Sequence, residues 1–235
     1  MSQIPDILEK LEGTAVYEIL SAMEQAYERI EKEQQKWYEA TKFLCPSGCG
    51  ECCKGFEPDL FECEALYMAA WLLQNQPEVA KNVAQGIFPF DNTHFGNGKT
   101  CLFYNLNSSY HCSIYGGRAF ICRLFGATSS YSKNGKKVWR PCKFYPSAIL
   151  SKYNPNLEHK QYSEQETEQI LGQIPPAMSD LMESALSIMP DNEKTVLLRD
   201  ILPQKINHLL WLIQMNDNDN PNGSPNGSPN APLAA

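Results

Sequence analysis

The chain has no apolar run long enough to cross a bilayer. The longest, around Leu66–Leu73, falls far short of the roughly 20 residues a spanning helix needs. Its opening residues, MSQIPDILEKLEG, offer neither a basic n-region nor an apolar h-region, so they do not read as a secretory signal. No P-loop, no G-x-G-x-x-G and no G-x-S-x-G occurs, which argues against the common nucleotide cradles and the hydrolase nucleophile elbow. Gly96-Asn97-Gly98-Lys99 before Thr100 lacks the upstream glycine in register and does not read as a phosphate loop. Acid is missing locally. Residues 101–150 hold seven bases and no Asp or Glu, although the net charge of the chain is −7. The flanks carry the acid: nine acids against five bases in 1–42, and eleven against five in 151–235.

Cysteine, by contrast, is abundant. Nine thiols stand in 235 residues. The odd count does not suit a closed set of disulfides. Without a secretory signal the expected compartment is the cytoplasm, where thiols stay reduced, and metal ligation is the leading explanation for them. Cys45, Cys49, Cys52 and Cys53 fall within nine positions, in CPSGCGECC. A helix or turn starting near Gly48 would put Cys49, Cys52 and Cys53 at i, i+3 and i+4 on one face. Cys45 would fold back from the preceding loop, with Pro46, Gly48 and Gly50 allowing a tight backbone. Cys101, Cys112, Cys122 and Cys142 are widely spaced and can converge only through the fold. Cys63 sits within an apolar helix and reads as core. His111 adjoins Cys112, so in a strand it points away from that thiol.

The basic stretch becomes intelligible beside these thiols. Four thiolates on zinc or on a cubane iron–sulfur cluster carry a net charge near −2, which calls for N–H donors and cations around them. Lys54, Arg118, Arg123, Arg140 and Lys143 each lie close in sequence to a cysteine. A solvated basic face is the competing reading. Nucleic acid is an unlikely partner, because no recognition motif accompanies the charge.

CPSGCGECCKG, then CLFY, then HCSIYGGRAFICRLFG resembles the YkgJ-like cysteine-cluster family, the zinc- or iron-chelating CxxCxxCC proteins. The resemblance runs from about Phe43 to Gly126. Cys45, Cys49, Cys52 and Cys53 match the knot, Cys101 the C-x-F cysteine, Cys112 the C-x-I-Y cysteine, and Cys122-Arg123 the C-R pair. Arg118 matches the arginine of R-P, with Ala119 in place of the proline. The resemblance implies a metal-binding domain and says little about activity. A larger relative, the flagellin lysine N-methylase, implies an iron–sulfur cluster and S-adenosylmethionine use. Cys45-x3-Cys49-x2-Cys52 also has the spacing of the radical S-adenosylmethionine motif. Against that, Glu51 stands where an aromatic usually precedes the last cysteine, Cys53 could close the open iron, and the strand–helix units of the expected barrel are absent.

Around the cysteines the periodicity is helical. Val16, Leu20, Met23, Tyr27, Ile30, Gln34 and Trp37 form one stripe of a helix over 14–41, suited to docking on its own domain or to pairing in a dimer. A helix is expected over Leu60–Leu73, capped by Asp59 with Glu62, and a short one from Pro77. Residues 86–100 read as loop. Residues 101–140 read as mainly β: CLFYN and YHCSIY as a hairpin across 106–109, and ATSSYSK and KKVWR as another around a two-residue Asn134-Gly135 turn. Helix returns from Ser163, boxed by Glu166. It resumes after Pro175-Pro176, then runs from Asp191 toward Leu202, and a last helix opens at Pro203 and ends near Met215. Residues 216–235 are polar and low in complexity, which predicts a disordered tail. Asp217 and Asp219 in that tail read as solvated.

The expected architecture is therefore α+β. It comprises an N-terminal amphipathic helix (1–42), a small cysteine-rich metal-stapled domain with β-hairpins (43–150), a C-terminal helical region (151–215) and the tail. The expected function is a zinc- or iron–sulfur-binding module, with a 4Fe-4S cluster favoured among clusters and the helices serving a protein partner. The alternative is an iron–sulfur enzyme of redox or S-adenosylmethionine-dependent methyl-transfer type. The expected ligands are Cys45, Cys49, Cys52, Cys53, Cys101, Cys112, Cys122 and Cys142, with Arg118 and Arg123 behind them.

Overall fold

The computed structural model describes residues 2–43, 45, 49–90, 100–189 and 194–219. The predicted long helix is α2, Ala15–Thr41, following a short α1, Pro5–Lys10. Thr14 caps α2 by accepting the Tyr17 N–H at 3.1 Å. All seven residues of the predicted stripe are buried, and the stripe packs inside this chain.

The partner it packs on is α4, Glu62–Asn75. Residues 65–70 of α4 are all buried, so this helix is enclosed on every side rather than amphipathic. It starts later than its sequence suggests. Asp59–Leu60 form a short strand, β1, so the Asp59–Glu62 cap does not form. Instead the Glu64 carboxylate accepts the Phe61 N–H at 2.9 Å. The next helix, α5 (Pro77–Ala84), begins on its proline as expected. Residues 91–99, including Gly96–Lys99, lie outside the described residues.

Residues 101–140 are less β than predicted. Asn105 N–H reaches the His111 carbonyl and Ser113 N–H the Phe103 carbonyl, both at 3.0 Å. The chain does reverse there, yet only the single bridge Tyr104–Cys112 forms. His111 at φ +52° interrupts the extended backbone a strand needs. Tyr115–Gly117 make a 3-10 turn, and Phe120–Leu124 form α6. The second hairpin is real: β2 (Ser130–Tyr131) pairs antiparallel with β3 (Lys137–Trp139). Its turn is longer than two residues. Gly135 N–H bonds the Ser132 carbonyl at 2.9 Å, Ser132 N–H bonds the Lys136 carbonyl at 2.8 Å, and Gly135 takes the left-handed position at φ +71°. Asn134 has no positive φ, so the turn is the three-residue, bulged form.

The third strand, β4 (Tyr162–Ser163), pairs with β3. Between these strands lies α7, Ser147–Tyr153, and after β4 comes α8, Glu164–Leu171, opened by the predicted Ser163–Glu166 box. A further helix, α9 (Met178–Leu186), follows the proline pair. Residues 190–193 lie outside the described residues, and with them the expected helix start at Asp191. The two helices expected on either side of Pro203 are one, α10, Leu198–Asp219. Pro203 removes a single rung of the ladder, while Leu202, Ile206 and Leu209 are buried and hold the helix through it. Residues 216–219 belong to this helix and not to the tail, and 220–235 lie outside the described residues. Just before α10, β5 (Val196–Leu197) pairs with β1.

One large apolar cluster draws on α1, α2, α4, α5, α9 and α10, so both flanks of the cysteine-rich segment share a core. A smaller, aromatic cluster holds Trp37, Phe43, Trp139, Tyr145 and Tyr162 with Leu150 and Leu157. The class is α+β, with small antiparallel sheets set among helices.

Candidate metal centre

The knot forms no long helix. A single turn, α3 (Glu51–Lys54), follows Gly50, so Cys52 and Cys53 lie within it and Cys49 just before it. Cys53 N–H bonds the Gly50 carbonyl at 2.9 Å. Gly50 is required by space: a Cβ there would stand 2.4 Å from the Cβ of His111. Pro46 and Gly48 lie outside the described residues.

The second cysteine group is tied to the knot through the backbone. Cys101 N–H bonds the Cys53 carbonyl at 3.0 Å, and the Thr100 hydroxyl bonds the Lys54 carbonyl at 2.7 Å. Cys112 follows the reversal at His111, and Cys122 sits in the middle of α6. Cys142 follows β3, three residues before the buried Tyr145.

These pieces enclose one cavity of about 190 Å³. Cys45, Cys49, Cys52, Cys53, Cys101, Cys112, Cys122 and Cys142 all line it, and Cys63 does not. Cys63 is 3% exposed in the apolar cluster, where its sequence placed it. Among the described residues the cavity wall contains no His, Asp or Glu. His111 packs instead beside Gly50 and Tyr104. Among the described residues no three Cys, His, Asp or Glu side chains stand close enough to share one ion. The thiols therefore ring a common space rather than forming a closed tetrahedron.

Their electrostatics follow from that crowding. Burial, and then the neighbouring Cys49 thiolate, push Cys45 up to about 12. Burial also pushes Cys101 up to about 12, with Cys112 and Cys52 adding to it. Cys122 is raised by burial and then by Cys101 and Cys112. Cys142 is raised by burial, with Cys52 and Cys49 its thiolate neighbours. Cys52 goes the other way, down to about 7, because the Cys53 thiol 3.9 Å away donates to it. Cys53 is raised for the same reason. Cys52 bears on Cys45, Cys53, Cys101, Cys112, Cys122 and Cys142 alike, its charge raising each. Crowded thiols that suppress one another's ionisation, on a wall without His, Asp or Glu among the described residues, suit a cation that prefers soft sulfur ligands, which is the chemistry of zinc and of iron–sulfur clusters.

The two arginines singled out in the sequence both line the cavity and, among the described residues, are its only charged side chains of the Arg, Lys, Asp and Glu kind. They differ in how they are held. Arg123 is 3% exposed and fully engaged. Its Nε donates to the Arg118 carbonyl at 2.9 Å, its two terminal nitrogens to Glu31 and to the Gly116 carbonyl, and its face lies 3.9 Å from the Tyr27 ring. Its own carbonyl accepts from Gln34 Nε2 at 2.8 Å, so the polar break in the α2 stripe has a partner. Glu64 completes this scaffold by accepting the Phe120 N–H at 2.6 Å. Burial pushes its carboxyl up to about 7. Arg118, by contrast, donates to the Tyr115 carbonyl at 2.7 Å and stacks 3.7 Å from the Tyr115 ring, with no ion pair among the described residues. Lys54, Arg140 and Lys143 are not on the cavity wall: Lys54 pairs with Glu51, Arg140 bonds Gln161, and Lys143 lies over Phe144.

The sequence reading missed the aromatic and distant parts of the wall. Tyr38, Phe43 and Tyr145 line it, as does Leu198 from the start of α10. Phe43 and Tyr145 each lie within three residues of a cysteine, a signal that was available. Nothing in the sequence pointed to Leu198.

No curated protein and no solved structure matches the chain. Residues 44–148 match the family model described as "CxxCxxCC: Putative zinc- or iron-chelating domain".

Proposed function

We propose that the protein binds zinc or an iron–sulfur cluster through the thiolates of this one cavity and acts in the cytoplasm as a binding or assembly module, its helices serving a protein partner. The observation that carries the metal reading is that eight of the nine cysteines line one cavity, from segments as far apart as Cys45 and Cys142, and only Cys63 does not. Chance burial of small apolar residues would not divide them so. Eight thiols on one wall suffice for one four-thiolate centre with spares or for two such centres.

When bound, the metal would supply a positive charge that lets crowded thiols ionise together. The chain's own residues do the positioning. Arg123 gathers the carbonyls of Gly116 and Arg118 and so fixes the loop between Cys112 and Cys122. Glu64 fixes the start of α6, which carries Cys122.

The test is metal and acid-labile sulfide analysis, with an absorption spectrum, on protein purified without oxygen. Absorption near ~400 nm with iron and sulfide identifies a cluster. A colourless protein with zinc identifies a structural thiolate site. Cys52→Ser is expected to lower metal content, whereas Cys63→Ser should leave it intact. Full metal retention by Cys52→Ser overturns the ligand set.

A further inference from the structure

Eight thiols share the cavity wall, but the fold does not hold them alike. Cys101 is buried, and its N–H is tied to the Cys53 carbonyl at 3.0 Å. Cys52 and Cys53 sit in α3, Cys122 in α6, and Cys112 in the bridge to Tyr104. The Cys142 carbonyl accepts the Tyr145 N–H at 2.9 Å, and Tyr145 is buried in the aromatic cluster. Cys49 adjoins Gly50, against which His111 packs. Each of these seven cysteines is buried or half-buried.

Cys45 differs on both counts. It is the one exposed cysteine of the nine, and it belongs to no helix, strand or bridge. Its sulfur still faces the others: it lies within hydrogen-bonding reach of Cys49, and the charges of Cys142 and Cys52 act on it. Tyr38 and Tyr115 feel its charge in turn, and Tyr115 is 41% exposed, so Cys45 stands on the solvent side of the ring. Exchange at a metal substitutes one donor for another. The donor replaced first is the one that a group from solvent can reach and whose backbone can withdraw at least cost. A thiolate on hydrogen-bonded, buried backbone leaves only if that structure opens locally.

We propose that Cys45 is the exchange ligand of the thiol cavity, the sulfur that lets go first and in whose place a thiol acceptor takes hold of the bound metal. This rests on the metal reading of the same cavity and adds the route by which metal leaves it. The exchange balances without a change of oxidation state. The incoming thiol gives up its proton and bonds the metal, the bond from the metal to Cys45 breaks, and the Cys45 sulfur takes a proton.

The experiment uses the full-length, metal-loaded protein, its metal content measured first. A short pulse of N-ethylmaleimide is mapped by mass spectrometry, since alkylation falls first on the sulfur most easily freed and reached. Cys45 is expected to react at least tenfold faster than any other thiol of the cavity. The chain modified at Cys45 alone is then mixed with 2,3-dimercaptosuccinate, and the metal left on the protein is followed in time. It should lose metal at least tenfold faster than the unmodified protein, and Cys45→Ser, loaded to a matched metal content, should do the same. Cys63→Ser, outside the cavity, should release metal at the wild-type rate. Even alkylation of the cavity thiols, or another of them reacting first, overturns the proposal. So does a Cys45 adduct that keeps its metal and releases it at the unmodified rate, because Cys45 would then be a spare thiol and not a ligand. A wild-type protein that takes up no metal instead overturns the metal reading, which the first measurement alone decides.

Discussion

The helical core and the thiol cavity are built on different principles within one chain. In the core, α4 is buried on every side by helices from both ends of the sequence, and regular backbone carries Leu, Ile, Met and Ala into contact. Around the cavity much of the backbone is turns, a single-turn helix and one isolated bridge, and the wall mixes thiols, aromatics and one enclosed arginine with aliphatic side chains carried in by the neighbouring helices. Apolar burial stabilises the first without help. The second keeps most of its polar backbone in local turns and brings eight sulfurs into one space, an arrangement that gains most when a cation binds it. The lesson is that the same chain can fold one region by burial and leave another to be completed by a ligand.

The sharpest way to break this comparison is to strip the metal. Chelation is expected to cost about 4 kcal/mol or more if the free metal stood at a thousandfold its Kd. Amide exchange should speed up across 101–124 and stay slow in α4, and uniform acceleration would mean the two regions are one cooperative unit. Leu66→Ala tests the other side. Leu66 is 2% exposed, and the change should cost ~2–5 kcal/mol in a urea melt while metal content per folded chain stays constant. Gly117→Ala probes the seam between them. A Cβ there would meet the Trp71 ring of α4 at 2.9 Å, so a loss of ~1–3 kcal/mol is expected, with no loss if the ring can withdraw. A further effect is that of pH on Glu64. Burial raises its folded-state value from 4.5 to about 7, so the folded form holds its proton more tightly than the unfolded form. Its contribution is complete below pH 4.5 and is lost as pH rises toward 7, with a slope of at most ~1.4 kcal/mol per pH unit. Thermal midpoints across that window should fall less steeply in Glu64→Gln than in the wild type.

Much of this was legible in the sequence where the signal is local. The α2 stripe, including Gln34, reads directly from a period near 3.6, because a helix turns every residue by a fixed angle. The Ser163–Glu166 box reads from a side chain three residues from its own cap. Strand signals in 101–114 misled because alternation of apolar residues does not reveal His111 at positive φ. The Asn134-Gly135 pair announced a hairpin, but whether one or two residues turn left-handed depends on the strands it joins. Pro203 read as a boundary, and tertiary packing of Leu202 and Ile206 carried the helix through it.

What the sequence determined by itself was the chemistry: a nine-thiol chain, an acid-free basic stretch, a knot of closely spaced cysteines, and helices to flank them. Spacing could not say whether Cys101, Cys112, Cys122 and Cys142 meet the knot. Nor could it separate two arginines that stand five positions apart. The tertiary structure decided both. It closed the Cys101–Cys53 backbone bond, paired Arg123 with Glu31 from a helix distant in sequence, and laid Arg118 against the Tyr115 ring with no ion pair among the described residues. The physical reason is that convergence and charge pairing are set by long-range packing, which no local pattern of residues records.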